Sequence, residues 1–228
     1  MLIRDWMAKD VLTVDENTSL MRATRILKEN SIRRLPVVSH GKLIGIVTDR
    51  DVKDASPSKT TSLDIHELYY LLSEMKVKDV MTSNPLTLSE DDTLEKAALI
   101  MLEDKISGLP VVDGMGHLVG LLSETDVLRG FIHSTGIKDG AIQFVLDLPD
   151  APGSVTKVIE CLRKFNARVI SVLTSFEDAP EGKKRVAVRV MINDAGQEEA
   201  MTRELRETFA VVYHGKDELK NMPRKRAV

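Results

Sequence analysis

Two tetrads of the chain, Thr48-Asp49-Arg50-Asp51 and Ser123-Glu124-Thr125-Asp126, share one pattern: a hydroxyl residue followed three positions later by an aspartate. Each follows an apolar run, residues 44–47 and 119–122, where the pattern predicts a strand giving way to a helix. Two chemistries fit that spacing. The hydroxyl and the carboxylate form a capping box that satisfies the unpaired amides of a helix start. Equally, a helix start offers N–H groups to a phosphate while a carboxylate accepts both hydroxyls of a ribose. The two are compatible. Arg33 and Arg34 add a second chemical signal, two planar donor forks suited to an anion, against the plain alternative of a solvated loop.

Catalytic groupings have no support. The histidines His40, His66, His117, His133 and His214 include no pair three or four apart, so a local metal-binding motif is missing. Cys161 is the single cysteine and lies in a helical apolar pattern, which reads as core; one thiol closes neither an intrachain disulfide nor a zinc framework, and a reducing compartment fits. Gly114, Gly116 and Gly120 miss the dinucleotide-binding spacing and read as a hairpin turn. The expectation is a protein that is not an enzyme, with no metal and no catalytic cofactor.

The elements that must carry these residues come in duplicate. Shifted by 74 places, residues 5–38 align with 79–112 without a gap and with 14 identities in 34 positions, among them Met7/Met81, Leu12/Leu86, Thr13/Thr87 and Leu35-Pro36-Val37-Val38/Leu109-Pro110-Val111-Val112. One extra residue at the glycines near 114–116 moves the register, and alignment resumes with Gly41/Gly116, Gly45/Gly120 and Asp51/Asp126. At the places of Arg33 and Arg34 the second copy has Ser107 and Gly108. Each copy reads as a short extended piece (11–14; 85–88), a capped helix, two hairpin strands and a second helix, a β-α-β-β-α unit. One such unit has too small a core to stand comfortably alone, so the two should pack as a pseudo-symmetric pair.

Between the copies, residues 56–62 read as a loop and 63–75 as an amphipathic helix that covers the pair, with a dimer contact through Tyr69 and Tyr70 as the alternative. From residue 141 the pattern becomes βαββαβ, the ferredoxin-like arrangement, with a tight turn at Pro149-Asp150-Ala151-Pro152-Gly153-Ser154. Its uncovered sheet face suits a sheet from a second chain, hence a homodimer. The fold class is α+β, divided as repeat 1 (1–60), linker helix (61–78), repeat 2 (79–135), ferredoxin-like domain (141–214) and a solvated basic tail (215–228).

Composition sets outer limits. The 228 residues suit two or three small cores, and 43% hydrophobic with 29% charged residues is ordinary globular usage. A net charge of -3 provides no field that gathers nucleic acid or anionic lipid, so neither partner is expected. No apolar run approaches the roughly 18 residues of a membrane span. A cytoplasmic protein is expected.

The doubled motif, with Met7 through Thr13, Arg33 through Val38, Gly41 through Asp51 and their counterparts, resembles the CBS domain, and two in tandem look like a Bateman module over residues 1 to about 135. Asp150-x-Pro152-Gly153-x-Val155 after a strand resembles an ACT domain, and the order CBS-CBS-ACT is similar to the acetoin-utilisation AcuB-type proteins of bacteria. The resemblance implies a regulatory sensor whose clefts take AMP, ADP, ATP or S-adenosylmethionine. It implies ribose at Asp51 and Asp126, phosphate or ribose at Thr48 and Ser123, adenine beside Ile46 and Leu121, and phosphates at Arg33, Arg34 and Arg50. Thr13, Thr87, Thr125, Pro36 and Pro110 would lie along the same clefts. The arginine pair is expected with the Asp51 motif, so the Asp126 site would lack it. ACT resemblance implies an amino acid at Asp150, Gly153, Ser154 and Val155, although Leu148 and Arg168 replace polar positions that clasp ligand in relatives. The alternative is a ligand-independent dimerisation and docking module that controls a partner enzyme, with acetoin metabolism the setting that the resemblance suggests.

Overall fold

The computed structural model describes residues 1–55, 70, 72–139 and 141–219. The chain forms two compact units, Met1–Gly130 and Phe131–Val228. Most of the expected linker helix and the chain after residue 219 lie outside the described residues; within them, 72–74 are helical, Leu72 is buried and Tyr70 is exposed.

In the first unit, α1 (Leu20–Glu29) begins at Ser19, whose hydroxyl accepts the Arg22 amide at 3.3 Å, and it buries Leu20, Ala23 and Leu27. β1 (Arg34–Ser39) and β2 (Lys42–Thr48) form an antiparallel hairpin, with α2 (Asp49–Ala55) following directly. A two-residue β3 (Thr82–Ser83) joins the edge of β2. The second copy repeats the scheme with α3 (Leu94–Glu103), capped by Thr93, then β4 (Gly108–Val112), β5 (Leu118–Ser123) and α4 (Glu124–Thr135). The extended pieces 11–14 and 85–88 make one parallel bridge each, Val14 with Val37 and Leu88 with Val111, instead of strands. The reason is that only Val14 and Leu88 turn inward; Thr13 and Thr87 beside them are exposed.

The two copies hold one another by exchanging their leading segments. Ala8 of the first copy and Leu121 of the second exchange both backbone hydrogen bonds at 3.0 Å, and Thr82 and Ser83 of the second copy pair with Ile46 and Gly45 of the first. The turn Ile3–Asp5 likewise sits at the start of α3, with Ile3 donating to Asp92 and Leu94 to Met1; Val77–Asp79 does the same for α1, Val77 donating to Thr18 and Leu20 to Met75. This close approach explains two glycines. A Cβ on Gly120 would lie 2.4 Å from the Met7 sulfur, and one on Gly45 2.4 Å from the Met81 sulfur.

The second unit runs β6 (Ile142–Pro149), α5 (Ser154–Lys164), β7 (Arg168–Ser175), β8 (Lys183–Met191), α6 (Ala195–Thr208), β9 (Ala210–Lys216), with sheet order β7-β8-β6-β9, as the ferredoxin-like pattern requires. One sheet face (Phe144, Leu146, Leu148, Val186, Val188, Val190) packs on α5 and α6 through Val158, Cys161, Leu162, Met201 and Leu205. The last strand is longer than its apolar residues suggest. Lys216 pairs with Ile142 and its ammonium meets Glu198 at 2.7 Å, so the residues expected to open the tail belong to the sheet. On the other sheet face Asp147 receives both arms of Arg185 (2.9 and 3.2 Å), and the buried Arg189 donates to Gln143 and Asp217. No helix among the described residues is long and apolar enough to cross a membrane.

Two measurements test this account. Gly120→Val should destabilise the chain by about 1–3 kcal/mol through overpacking, and part of that loss should be recovered in combination with Met7→Ala, as read by urea denaturation. Arg185 holds the Asp147 carboxyl below its ordinary value of 3.8, so the stability it confers is present above that pH and fades as pH falls through the lowered folded value. Asp147→Asn should therefore cost stability near neutral pH, and the gap to the parent should close on acidification in pH-dependent denaturation curves.

Candidate ligand-binding site

The tetrads are capping boxes. At the start of α2, Asp51 Oδ2 accepts the Thr48 amide (2.7 Å) and hydroxyl (2.8 Å), and Asp51 N–H donates back to Thr48 Oγ1 at 3.3 Å. At the start of α4, Asp126 Oδ2 accepts the Ser123 amide at 3.0 Å and hydroxyl at 2.5 Å, with the same return bond. The box uses one oxygen of each carboxylate. The other oxygen of Asp126 meets Arg129 on the exposed side of α4 at 3.0 Å.

Capping leaves the second tetrad open to a cavity of about 430 Å³, within the range of small-molecule sites. Its walls come from three places. Ser123, Glu124, Thr125 and Asp126 with Leu121 supply one side; Ala8, Asp10, Val11 and Leu12, carried onto β5 by the Ala8–Leu121 pairing, supply a second; Ser31, Ile32, Arg33, Arg34 and Ser107 supply the third. The lining thus combines an apolar strip, four hydroxyls, three carboxylates and two guanidinium groups.

Arg34 is the most constrained of these side chains. Its Nη2 donates to Ser107 Oγ at 2.7 Å, and burial pushes its pKa down, helped by the like charge of Arg33, while Asp49, Asp126 and Glu124 pull it back up. An arginine so placed stays charged. It is a cation partly stripped of water facing a polar cavity.

Of the residues singled out in the sequence, Arg33, Arg34, Leu121, Ser123, Thr125 and Asp126 come together in this cavity. In the counterpart tetrad Thr48 ends β2 while Arg50 and Asp51 lie in the first turn of α2, with Ile46 buried on β2 before them. Thr13 and Thr87 are exposed on the extended pieces, while Pro36 and Pro110 are buried and their carbonyls accept the amides of Val14 and Leu88. The arginines stand between the two tetrads: both line the cavity of the Asp126 tetrad, while the Arg33 carbonyl accepts the Asp49 amide at 2.9 Å, and Lys53 together with the Arg33 charge holds the Asp49 carboxyl below its ordinary value. The copies meet face to face, so the Arg34 side chain at the start of β1 reaches across to Ser107 of the other copy. Asp10, Val11, Ser31, Ile32, Ser107 and Glu124 were not singled out from the sequence. Glu124 lies inside a tetrad and Ser107 is the counterpart of Arg33, so the repeat alignment held the signal for both.

In the second unit, Asp150, Gly153, Ser154 and Val155 stand together at the start of α5. Gly153 has φ of 79°, no side chain caps the helix, Asp150 meets Lys184 at 3.7 Å, and Val155 packs on the core. The buried Ser154 hydroxyl has no hydrogen-bond partner among the described residues. Cys161 is buried, and its pKa is raised by burial and by Glu204, so it is a poor nucleophile. Among the described residues no group of three or more His, Cys, Asp or Glu is placed to hold a metal ion.

A family model described as "CBS domain" matches residues 3–58 and 77–133. A CBS domain-containing protein of Dictyostelium discoideum is 36% identical over 128 residues, which is 56% of this chain and 88% of that protein. The chain spans only 23% to 47% of the length of other curated relatives that it matches. Among solved structures, a Vibrio cholerae protein described as a candidate acetoin utilization protein (AcuB) aligns at 26% identity and TM-score 0.51, over 61% of this chain and 96% of that one. CBSX2, solved in complex with AMP, aligns at 32% identity and TM-score 0.49, over 57% of this chain and 96% of its own.

The capping function makes its own prediction. Thr48→Ala and Ser123→Ala should each lower stability by about 0.5–2 kcal/mol, because each removes the acceptor for one helix-start amide, and equilibrium unfolding should show losses of similar size in the two copies.

Proposed function

The chain belongs to the CBS-domain family, and from that premise we propose that it is a non-catalytic sensor that binds an adenine nucleotide in the cavity of the Asp126 tetrad. The observation that carries this reading is the composition of that one cavity: the apolar strip Val11, Leu12, Ile32 and Leu121, a carboxylate at Asp126, and the cations Arg33 and Arg34. An adenine ring is flat and largely apolar, a ribose presents two adjacent hydroxyls to a carboxylate, and a phosphate is the natural partner of a guanidinium fork. Arg129 can release the outer oxygen of Asp126, since its own side chain is largely exposed and the exchange costs little. The arginine pair favours AMP, ADP or ATP over S-adenosylmethionine, whose sulfonium adds positive charge. Binding signals by favouring one arrangement of the two copies over another, which requires only a difference in affinity.

The Thr48–Asp51 tetrad is a second, weaker adenosine site in this proposal. The Phe131–Val228 unit is an ACT-like module that pairs two chains into a homodimer and passes the signal to a partner enzyme, with acetoin metabolism as the candidate setting. A second reading concerns that unit: an amino acid bound at Asp150, Gly153, Ser154 and Val155. The unsatisfied Ser154 hydroxyl and the uncapped helix start favour it.

A thermal-shift screen of the full chain with AMP, ADP, ATP, S-adenosylmethionine and amino acids, followed by calorimetry, tests these readings together. AMP should raise the melting temperature, and Asp126→Ala should lose about 1.5–3 kcal/mol of nucleotide binding, roughly ten- to a hundredfold in Kd, with Asp51→Ala losing less. Rises with amino acids alone would move the ligand to the second unit, and flat traces throughout would favour a ligand-independent docking module.

A further inference from the structure

Ser107 and Gly108 occupy in the second copy the places that Arg33 and Arg34 occupy in the first. The structure shows a physical reason for the difference. The Arg34 guanidinium crosses to the second copy and settles on these two residues: Nη2 donates to Ser107 Oγ at 2.7 Å. A Cβ on Gly108 would lie 1.9 Å from Arg34 Nη1 and 2.4 Å from Cζ. The guanidinium fills the volume that any side chain at position 108 would need. An arginine there would meet Arg34 as a like charge at contact distance, with burial weakening the screening by water. With Arg34 in this position, a second arginine at 108 would have to displace it.

We propose that Ser107 and Gly108 are positioning residues that seat the Arg34 guanidinium in the Asp126 cavity, so that each chain holds one phosphate-selective site. The Thr48–Asp51 tetrad is left without that selectivity. The inference rests on the nucleoside reading above and deepens it. In the repeat alignment Ser107 and Gly108 hold the places of Arg33 and Arg34 and carry no charge, so the second copy supplies no arginine pair of its own, and Arg33 reaches the Thr48–Asp51 tetrad at Asp49. Selectivity for the anionic tail thus depends on a hydroxyl and on an empty side-chain position, neither of which needs to touch the phosphate itself.

The readout is the ratio of adenosine Kd to AMP Kd, measured by calorimetry on the full chain, because it isolates what the phosphate adds. The parent should show one site per chain at which AMP binds more tightly than adenosine. Ser107→Ala should reduce the ratio about two- to tenfold, and Ser107→Thr should retain it. Gly108→Ala should reduce it similarly and still fold, because the group its methyl displaces is the free end of a long side chain. Arg34→Ala should reduce the ratio further than either, with Arg33 still in place. An unchanged ratio in Ser107→Ala and Gly108→Ala, or two phosphate-selective sites per chain, would overturn the inference while leaving nucleotide binding intact. Absence of binding by both adenosine and AMP would overturn the nucleoside reading and this inference with it.

Discussion

The exchange of leading segments between the two copies is the interaction on which the rest of the first unit depends. The stretch ahead of each copy's extended piece bonds its backbone to the other copy's sheet, as Ala8 does with Leu121 and Thr82 with Ile46, and each copy's opening turn sits at the other's first helix. A buried backbone amide without a partner is costly, so neither copy is complete without its twin. The arrangement also builds the cavity. Asp10, Val11 and Leu12 reach the Asp126 tetrad only because the Ala8 pairing carries them there.

Close approach around an approximate two-fold axis makes departures from symmetry necessary. Residues near such an axis meet their own counterparts, and two charged side chains of the same sign repel one another there. Arg34 lies over Ser107 and Gly108 for this reason, and one half of a duplicated pattern gains a cationic wall while the other keeps small residues. The duplicated capping boxes behave differently. Each is local to its own helix start, so both copies retain it with nearly the same geometry. Their shared carboxylate oxygen is committed to structure, and the chemistry left for a ligand differs only through what the opposite copy brings.

The second unit shows a different balance. Its core is a single apolar layer between a four-stranded sheet and two helices, while the opposite sheet face carries ion pairs, Asp147 with Arg185 and Arg189 with Asp217, among exposed residues such as Leu173 and Tyr213. The helix after β6 starts from a left-handed glycine without a side-chain cap, in contrast to Ser19 and Thr93 in the first unit. A helix start left uncapped beside an unsatisfied buried hydroxyl is a cost that the fold carries locally.

The amino-acid sequence by itself determined whatever depends on neighbours along the chain. The helices with Leu20, Ala23 and Leu27 inward, the two hairpins, the capping tetrads and the βαββαβ order all follow from periodicity, turn chemistry and spacing over a few residues, and the duplication makes each feature legible twice. Only the tertiary structure decided which copy's residues face which tetrad. Arg34 pairs with Thr48 across β1 and β2 and the Arg33 carbonyl accepts the Asp49 amide, yet both arginines also line the cavity of Asp126, more than ninety positions away in sequence. The extended pieces misled for a related reason: their composition suits strands, but a single inward residue in each leaves nothing to extend a ladder. Pairing between distant segments is set by the packing of whole surfaces, and one-dimensional spacing carries no record of it.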